Sequence, residues 1–188
     1  MAISATQIRA GMVILYQGKP HRVVSKMHIT PGNWRAMVQT ELKNLESGST
    51  VNYRFRAAEA VEQAHLETHE LQFLYRSGDD YSFMNTETYE MISLSTETLG
   101  ENAKYLQENM VITAQYWQGT VVAIEVPMTI VFRIAETDPP MRGATASGGS
   151  KPAKLENGMT VKVPQHLSPG DLVKVDTRDD SFVERVQE

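Results

Sequence analysis

The sequence predicts an all-β protein built from small barrels, and three observations lead to this fold class. Most apolar segments are short, rich in valine, isoleucine, threonine and tyrosine, and separated by turn-forming residues at a spacing of about 8–12 residues. A single stretch has the pattern of a helix. The 188 residues are 41% hydrophobic and 22% charged, which allows a packed core in one large domain or in several small ones.

The first third of the chain predicts four strands. "GMVILYQGKPHRVVSKMHI" contains two strands around a turn at residues 17–20, and "RAMVQTELKNLESGSTVNYRFRA" contains two more around residues 46–48. Both turns contain glycine, which adopts positive φ at no steric cost. We expect a four-stranded module within residues 1–64.

The middle third predicts two hairpins with a helix between them. "LQFLYRSGDDYSFMN" turns at residues 77–80 and "MVITAQYWQGTVVAIEVP" turns at Gln118-Gly119. Between them, "STETLGENAKYLQEN" predicts a helix with Ser95 or Thr96 as its N-cap and Asn109 at its end. Strands, one short helix and further strands are typical of an OB-type barrel.

The last third predicts four more strands: "TIVFRIAET", "MTVKVP", "DLVKVDT" and "SFVERVQ". "GTVVAIEVP" and "GMTVKVP" share the order glycine, β-branched strand and Val-Pro, so either two related barrels or chance similarity explains the echo. Residues 138–158, "DPPMRGATASGGSKPAKLENG", predict a long loop, either flexible or shaped so that backbone approaches a ligand closely.

Charge is distributed unevenly along the chain. The net charge is −5, but residues 1–64 carry +4, residues 65–128 carry −8 and residues 129–188 carry −1. A polyanion could therefore contact the first module while the middle one is held away from it. Chance scatter of charge among small domains is the alternative.

The stretch "HITPGNWRAM" predicts a hairpin tip at residues 31–35. Pro31-Gly32 is a strong turn signal, and Trp34 and Arg35 follow directly. An exposed tryptophan can stack on a base for roughly 1–3 kcal/mol, and arginine can pair with phosphate. Alternatively, Trp34 packs back onto its own hairpin. The residues expected to flank the tip on neighbouring strand positions are Lys26, His28 and Lys43.

Other motifs give little sign of catalysis or of a metal site. The chain has no cysteine, so disulfides and thiolate metal sites are excluded. "HLETH" lacks the glutamate that a zinc protease needs after its first histidine, so His65 and His69 are expected to be surface residues. We find no nucleophile with a nearby base. On these grounds we expect a protein that is not an enzyme and has no cofactor or metal. The start "MAISATQIRAGMVILY" has no long apolar run, so we expect the protein to be cytoplasmic.

Several motifs along the whole chain resemble the bacterial elongation factor P family. The segment "KPAKLENGMTVKVPQHLSPG" resembles the family signature, with residues at the family's spacing. Similar matches occur in "RAGMVILYQGKPHRVV", "FMNTETYE", "NAKYL", "ETDPPMRGATASGGSKPA" and "VKVDTRDDSFVERV". The matching signature residues are Lys151, Ala153, Gly158, Val161, Val163, Pro164, Leu167 and Gly170.

The resemblance implies three small β-barrel domains in an L-shaped, tRNA-like arrangement. They are a KOW/SH3-like domain at 1–64 and two OB-folds at 65–128 and 129–188. It implies an elongation factor that binds the 70S ribosome between the P and E sites and relieves stalling at consecutive prolines by positioning peptidyl-tRNA. Other implied partners are rRNA and mRNA near the E-site codon, and we expect a monomer. RNA or tRNA contacts are assigned to Lys26, His28, Lys43, Gly143, Thr145, Ser147, Gly148, Gly149, Lys151 and Arg185.

The tip departs from the family pattern. The family usually has Pro-Gly-Lys-Gly, with a modified lysine, or a sugar-modified arginine in some branches. Here Asn33 and Trp34 occupy those two positions, so no modification is expected at Asn33. We hypothesise that Trp34, with Arg35, supplies the reach of the modified lysine; modification of Arg35 itself is a competing hypothesis. Alternative functions are a diverged paralogue with another ribosomal task and a generic OB-type RNA-binding protein.

Overall fold

The computed structural model describes residues 1–32, 35–140 and 149–187, and within them it confirms the all-β fold class. Short strands dominate, with one four-residue α-helix, α1 (Thr96–Leu99), which continues as the 3-10 helix Gly100–Tyr105. The strands are β1 (Ala2–Ser4), β2 (Val13–Tyr16), β3 (Lys19–Ile29), β4 (Met37–Asn44), β5 (Thr50–Arg56), β6 (Ala60–Glu62), β7 (Glu67–Ser77), β8 (Asp80–Asn85), β9 (Met91–Ser95), β10 (Val111–Trp117), β11 (Thr120–Glu125), β12 (Thr129–Thr137), β13 (Ser150–Leu155), β14 (Thr160–Pro164), β15 (Leu172–Asp176) and β16 (Ser181–Val186).

The chain divides into two compact units. One contains Met1–His69 with Ala114–Ala123, and the other contains Glu70–Thr113 with Ile124–Glu188. The three domain ranges expected from the sequence, 1–64, 65–128 and 129–188, stay a prediction.

The first module contains the predicted four strands in the antiparallel order β2-β3-β4-β5. Alternate residues face inward, as the period of two in a strand requires, and Val23, Val38, Leu42 and Phe55 form a buried core with Ile14. A second small sheet pairs β1 with β6. This sheet was not predicted, because strands of three residues are too short to show an alternating pattern.

The middle sheet has the order β11-β10-β7-β8-β9. Its turns are those predicted, and Gln118 and Gly119 have φ of 49° and 80°. The predicted helix is shorter than expected. Ser95 is the N-cap, and its hydroxyl accepts a hydrogen bond from the Thr98 N–H. The α-helix stops at Gly100, whose φ of 55° is outside the helical region. Ending the helix at Asn109 was therefore wrong.

The last sheet has the order β14-β13-β12-β15-β16. If the five strands of each sheet are renumbered 1 to 5 in chain order, the last sheet has the order 3-2-1-4-5. The middle sheet has the order 5-4-1-2-3, which is the same order read from the other edge. Two related barrels are thus consistent with the topology. The sequence echo nevertheless aligns β11, the fifth strand of one sheet, with β14, the third strand of the other. The echo itself is therefore not evidence of the relationship.

The predicted long loop at 138–158 is partly a strand. β13 lies between β12 and β14 and pairs Ala153 with Thr137 on one side and with Val161 on the other. Pro152 sits within it, although proline cannot donate to a ladder and is usually confined to edges or bulges. The β12–β13 register shifts between Ile134 and Glu136, so the ladder on that side is irregular. Residues 141–148 lie outside the described part.

Candidate nucleic-acid interface

The β3–β4 hairpin carries the candidate tip. Its register runs from His21 opposite Asn44 to Ile29 opposite Met37, and the latter pair is nearest the exposed Pro31-Gly32 turn. Asn33 and Trp34 lie outside the described residues, so what was predicted for them stays a prediction. The hairpin positions Arg35, which is exposed, immediately before β4.

Aromatic side chains on the inner face stiffen the module below the hairpin. The ring centroids of Tyr16 and Tyr53 are 4.9 Å apart, and those of Tyr53 and Phe55 are 4.6 Å apart. The ring of His21 meets Tyr16 edge-on at 5.3 Å. Such pairs contribute about 0.5–1.5 kcal/mol each beyond area burial. The hairpin is therefore anchored on a packed base.

The three residues predicted to flank the tip do not lie together. His28 is exposed opposite Val38, close to the tip. The ammonium of Lys26 donates a 2.8 Å hydrogen bond to the main-chain oxygen of Thr6. Lys43 pairs with Arg22, which lies seven residues before Ile29 on β3. Seven residues of strand span roughly 20 Å, so Lys43 is about that far from the tip end of the hairpin. The expectation that Lys43 flanks the tip was therefore wrong.

A pocket of about 730 Å³ adjoins the hairpin, and the sequence analysis did not anticipate it. Two arginines, Arg35 and Arg56, and the aromatic residue Tyr53 are among the residues that line it. The main-chain N–H of Arg56 donates to the Glu59 carboxylate at 3.0 Å, which fixes the loop on that side. The sequence does show that residues 1–64 are basic, but this net charge does not indicate which arginines line the same pocket. Glu59 also lines the pocket, together with Ala36, Ala57 and Ala58.

In the carboxy-terminal sheet, Lys151 does not offer its charge to solvent. The residue is 4% exposed, and its ammonium donates a 2.5 Å hydrogen bond to the main-chain oxygen of Asp138. This burial does not fit the predicted direct contact with RNA. Because residues 138 and 151 flank the 139–150 segment, Lys151 holds the two ends of that segment together.

The remaining predicted RNA contacts of this sheet are partly described. The guanidinium of Arg185 is exposed and pairs with Asp171 at 2.9 Å, so its charge is partly neutralised. A Cβ on Gly149 would lie 3.1 Å from Gln165 Nε2. The lack of a side chain at Gly149 therefore leaves room for the side chain of Gln165, whereas the prediction was a close approach to RNA. Gly143, Thr145, Ser147 and Gly148 lie outside the described residues.

The described part of the chain contains neither a metal-binding cluster nor a membrane-spanning helix. Among residues 1–32, 35–140 and 149–187, no group of three or more His, Cys, Asp or Glu side chains is arranged to hold a metal ion. His69 instead packs its ring 5.1 Å from that of Tyr116 and lies 3.6 Å from Glu67. No helix in this part of the chain is long and apolar enough to cross a membrane.

The fold is shared with a class of translation factors. The solved structure of a translation initiation factor 5A from Methanococcus jannaschii superposes with a TM-score of 0.57 at 17% identity, over 67% of this chain and 94% of that one. At that identity the match shows the fold alone.

Sequence comparison then defines the family. The elongation factor P models for the KOW-like domain, the OB domain and the C-terminal domain match residues 4–61, 66–124 and 130–185. Elongation factor P of Gemmatimonas aurantiaca is 48% identical over all 188 residues and the whole of both chains. That of Synechococcus elongatus is 45% identical over 97% of this chain and 99% of its own. The chain belongs to the elongation factor P family and is a translation elongation factor.

Proposed function

We propose that this factor binds the 70S ribosome between the P and E sites and relieves stalling at consecutive prolines. Family membership supports a ribosome-related partner. The single observation that carries the finer proposal is the basic hairpin module, whose exposed end is built on a buried core and an aromatic base. A stiff hairpin of this kind is suited to entering an RNA-rich site and holding a side chain there.

The proposed mechanism is positioning. Proline is rigid and a poor nucleophile, so its attack on peptidyl-tRNA depends on how often the two reactants meet in the right geometry. Holding reactants in attack geometry can remove about 7–11 kcal/mol of barrier in well-oriented systems. The factor then needs no nucleophile or general base of its own, which is consistent with a translation factor that is not an enzyme.

At the tip we propose that Trp34 and Arg35 act as unmodified side chains. Asn33 offers neither an amine nor a guanidinium that a modifying enzyme could extend. A tryptophan supplies a large flat surface that can stack on a base or ribose of the peptidyl-tRNA end. An intact mass of the protein from its own host should equal that of the bare sequence; an added mass on Arg35 would support the competing hypothesis.

Contacts at the other end of the chain are proposed with mRNA near the E-site codon and with rRNA. The small residues at 143–149 would let main-chain N–H groups meet phosphate oxygens. Arg185 would add a cation at the surface, and Lys151 would act by joining the ends of the 139–150 segment. We further propose that the protein is cytoplasmic and monomeric.

The test is translation of a Pro-Pro-Pro reporter with purified components. The factor is produced in a host that lacks the modification enzymes, and full-length product is compared with and without it. Restored synthesis supports both the function and an unmodified tip. If stalling persists, the assay is repeated with native-host protein on native-host ribosomes. Failure there as well contradicts the proposed function and favours a paralogue with another ribosomal task.

A further inference from the structure

Three side chains meet where the helical segment 96–105 approaches the carboxy-terminal barrel. The Lys104 ammonium lies 2.8 Å from Asp180 Oδ2. The Tyr105 hydroxyl donates to the other oxygen of the same carboxylate and lies 3.1 Å from the main-chain oxygen of Thr177. Both partners are separated from Asp180 by about 75 residues of chain, so the contact is a tertiary one. Lys104, Tyr105 and Asp180 are called the latch below.

The ring of Tyr105 belongs to the core of the carboxy-terminal barrel. It is 4% exposed and packs in the same buried cluster as Phe132, Leu155, Val163 and Val175. This cluster contains residues of β12 to β15, so a side chain from the segment before the barrel completes the barrel's core. The hydroxyl that points out of this core is the atom held by Asp180.

A second contact ties the same segment to a different turn of the barrel. Asn157 lies between β13 and β14, and its side-chain amide donates a 2.9 Å hydrogen bond to the main-chain oxygen of Lys104. The segment is fixed on its other side as well, because the Thr96 N–H donates to the main-chain oxygen of Asp79 at 2.9 Å. The helical segment therefore connects the β7–β8 turn to the barrel.

The backbone conformation at Asp180 is one that glycine would adopt more easily, so the aspartate side chain is retained there at a conformational cost. Its φ is 57°, in the left-handed region where glycine is the default residue. Aspartate tolerates this conformation better than most residues but at some cost. A glycine would form the β15–β16 turn without that cost and would lack the carboxylate. The cost at Asp180 is offset by the two hydrogen bonds of the latch.

Electrostatics favour the charged pair. Burial raises the pKa of Asp180, but hydrogen bonds from Lys104 and Tyr105 outweigh burial and hold the pKa below its usual value. The hydrogen bond to Asp180 raises the pKa of Lys104 against a smaller opposing effect of burial. Glu101 lies 3.7 Å from the same ammonium. Both groups are about a third exposed, so solvent screens the attraction and packing of Tyr105 is needed to hold the geometry.

We propose that Lys104, Tyr105 and Asp180 are positioning residues that lock the β8–β9 hairpin and the carboxy-terminal barrel into one rigid body. The rigidity holds the RNA contacts proposed for the carboxy-terminal barrel in a fixed orientation relative to the β8–β9 hairpin, an effect that rests on the proposed function. If the lock opens, the barrel and the hairpin move independently, so contacts with the ribosome form separately and the placement of the factor loses precision.

Three variants isolate the latch from the fold. Asp180→Gly removes the carboxylate while suiting the positive φ of the turn. Tyr105→Phe keeps the buried ring and removes only the hydroxyl. Lys104→Met keeps the length of the side chain and removes the charge. The matched control is Glu184→Gln, which removes a carboxylate from the same β15–β16 hairpin, where Glu184 pairs with Lys174.

The first readout is the relative alignment of the two parts, measured by residual dipolar couplings of amides in β8 and β9 and in β12 and β15. The wild type and the Glu184→Gln variant should fit one alignment tensor, and the latch variants should need two. A purely structural role would lower the melting temperature without separating the tensors. One shared tensor in all latch variants would overturn the lock.

The second readout is Pro-Pro-Pro translation. We expect Asp180→Gly to lower the rate by about tenfold, less than the hundredfold that a misplacement of an ångström can cost. Separate tensors with full activity would overturn the positioning role. A wild type that aligns as one body but does not relieve stalling would contradict the proposed function and leave the lock standing.

Discussion

The buried ammonium of Lys151 donates a 2.5 Å hydrogen bond to the main-chain oxygen of Asp138. The two residues lie at the ends of β13 and β12, where the chain leaves the sheet and returns to it. A lysine that looks from sequence like an RNA contact thus has an internal role. Lys154, three residues further along the same strand, is exposed to solvent, as lysine side chains usually are.

Lys151→Met should destabilise the protein. The substitution keeps the apolar stem but removes the hydrogen bond from a charged donor, and a bond of this kind contributes about 1.5–3 kcal/mol. Urea unfolding measures the free-energy change, and Lys154→Met on the same strand is the control, with an expected change within about 0.5 kcal/mol. Equal effects of the two substitutions would show that the buried hydrogen bond does not contribute to stability.

Arg35→Gln and Arg56→Gln should each weaken binding to ribosomes. Both arginines lie at the pocket beside the hairpin, and an arginine that meets a phosphate adds about one to the slope of log affinity against log salt concentration. Co-sedimentation with ribosomes at several salt concentrations gives this slope. Lys43→Gln is the control, because Lys43 is a cation of the same hairpin at the end remote from the tip. If Lys43→Gln had the larger effect, the RNA-facing end would have been misassigned.

Trp34→Ala should abolish relief of Pro-Pro-Pro stalling without unfolding the protein. Removal of the ring takes away a stacking surface worth roughly 1–3 kcal/mol per base. Trp34→Phe retains a smaller ring and should retain part of the activity. Circular dichroism establishes that each variant is folded before translation is measured. Unchanged rescue by the alanine variant would rule out the tryptophan as the substitute for a modified lysine.

Local chemistry explains how much of the fold could be predicted. Turns are set by a few residues, and Gln17-Gly18 and Gln118-Gly119 have the positive φ that their sequences indicate. β13 was missed because "SKPAKL" contains proline and lysine, and its strand character comes from pairing with β12 and β14 on either side. The predicted helix ended early because Gly100 takes a positive φ, which the continuing polar pattern does not reveal.

The contacts that sequence reasoning missed are long-range ones. The distance of Lys43 from the tip follows from its place near the far end of β4, but its pairing with Arg22 depends on the β3–β4 register, which shifts between Val23 and Ser25. The ion pair of Lys104 with Asp180 joins positions 76 residues apart. Nothing local to either residue indicates the other. Family motifs include both segments, "NAKYL" and "VKVDTRDDSFVERV", but a motif does not say that its members touch.

The latch should stabilise the protein over a defined pH range. The pKa of Asp180 is lowered in the folded state, so its contribution is present above the ordinary carboxyl pKa of 3.8 and is lost as pH falls through the lower, folded value. The pKa of Lys104 is raised, so its contribution is present below the ordinary value of 10.5 and is lost as pH rises through the higher, folded value. The stability difference between wild type and Asp180→Asn should therefore be constant near neutral pH and shrink at both extremes. Urea unfolding of both proteins across this range measures it. Because Glu101 also lies near the ammonium, Glu101→Gln is the control and should leave the acid limb in place. A difference that persists unchanged in strong acid would show that the Asp180 carboxylate does not stabilise the fold through its charge.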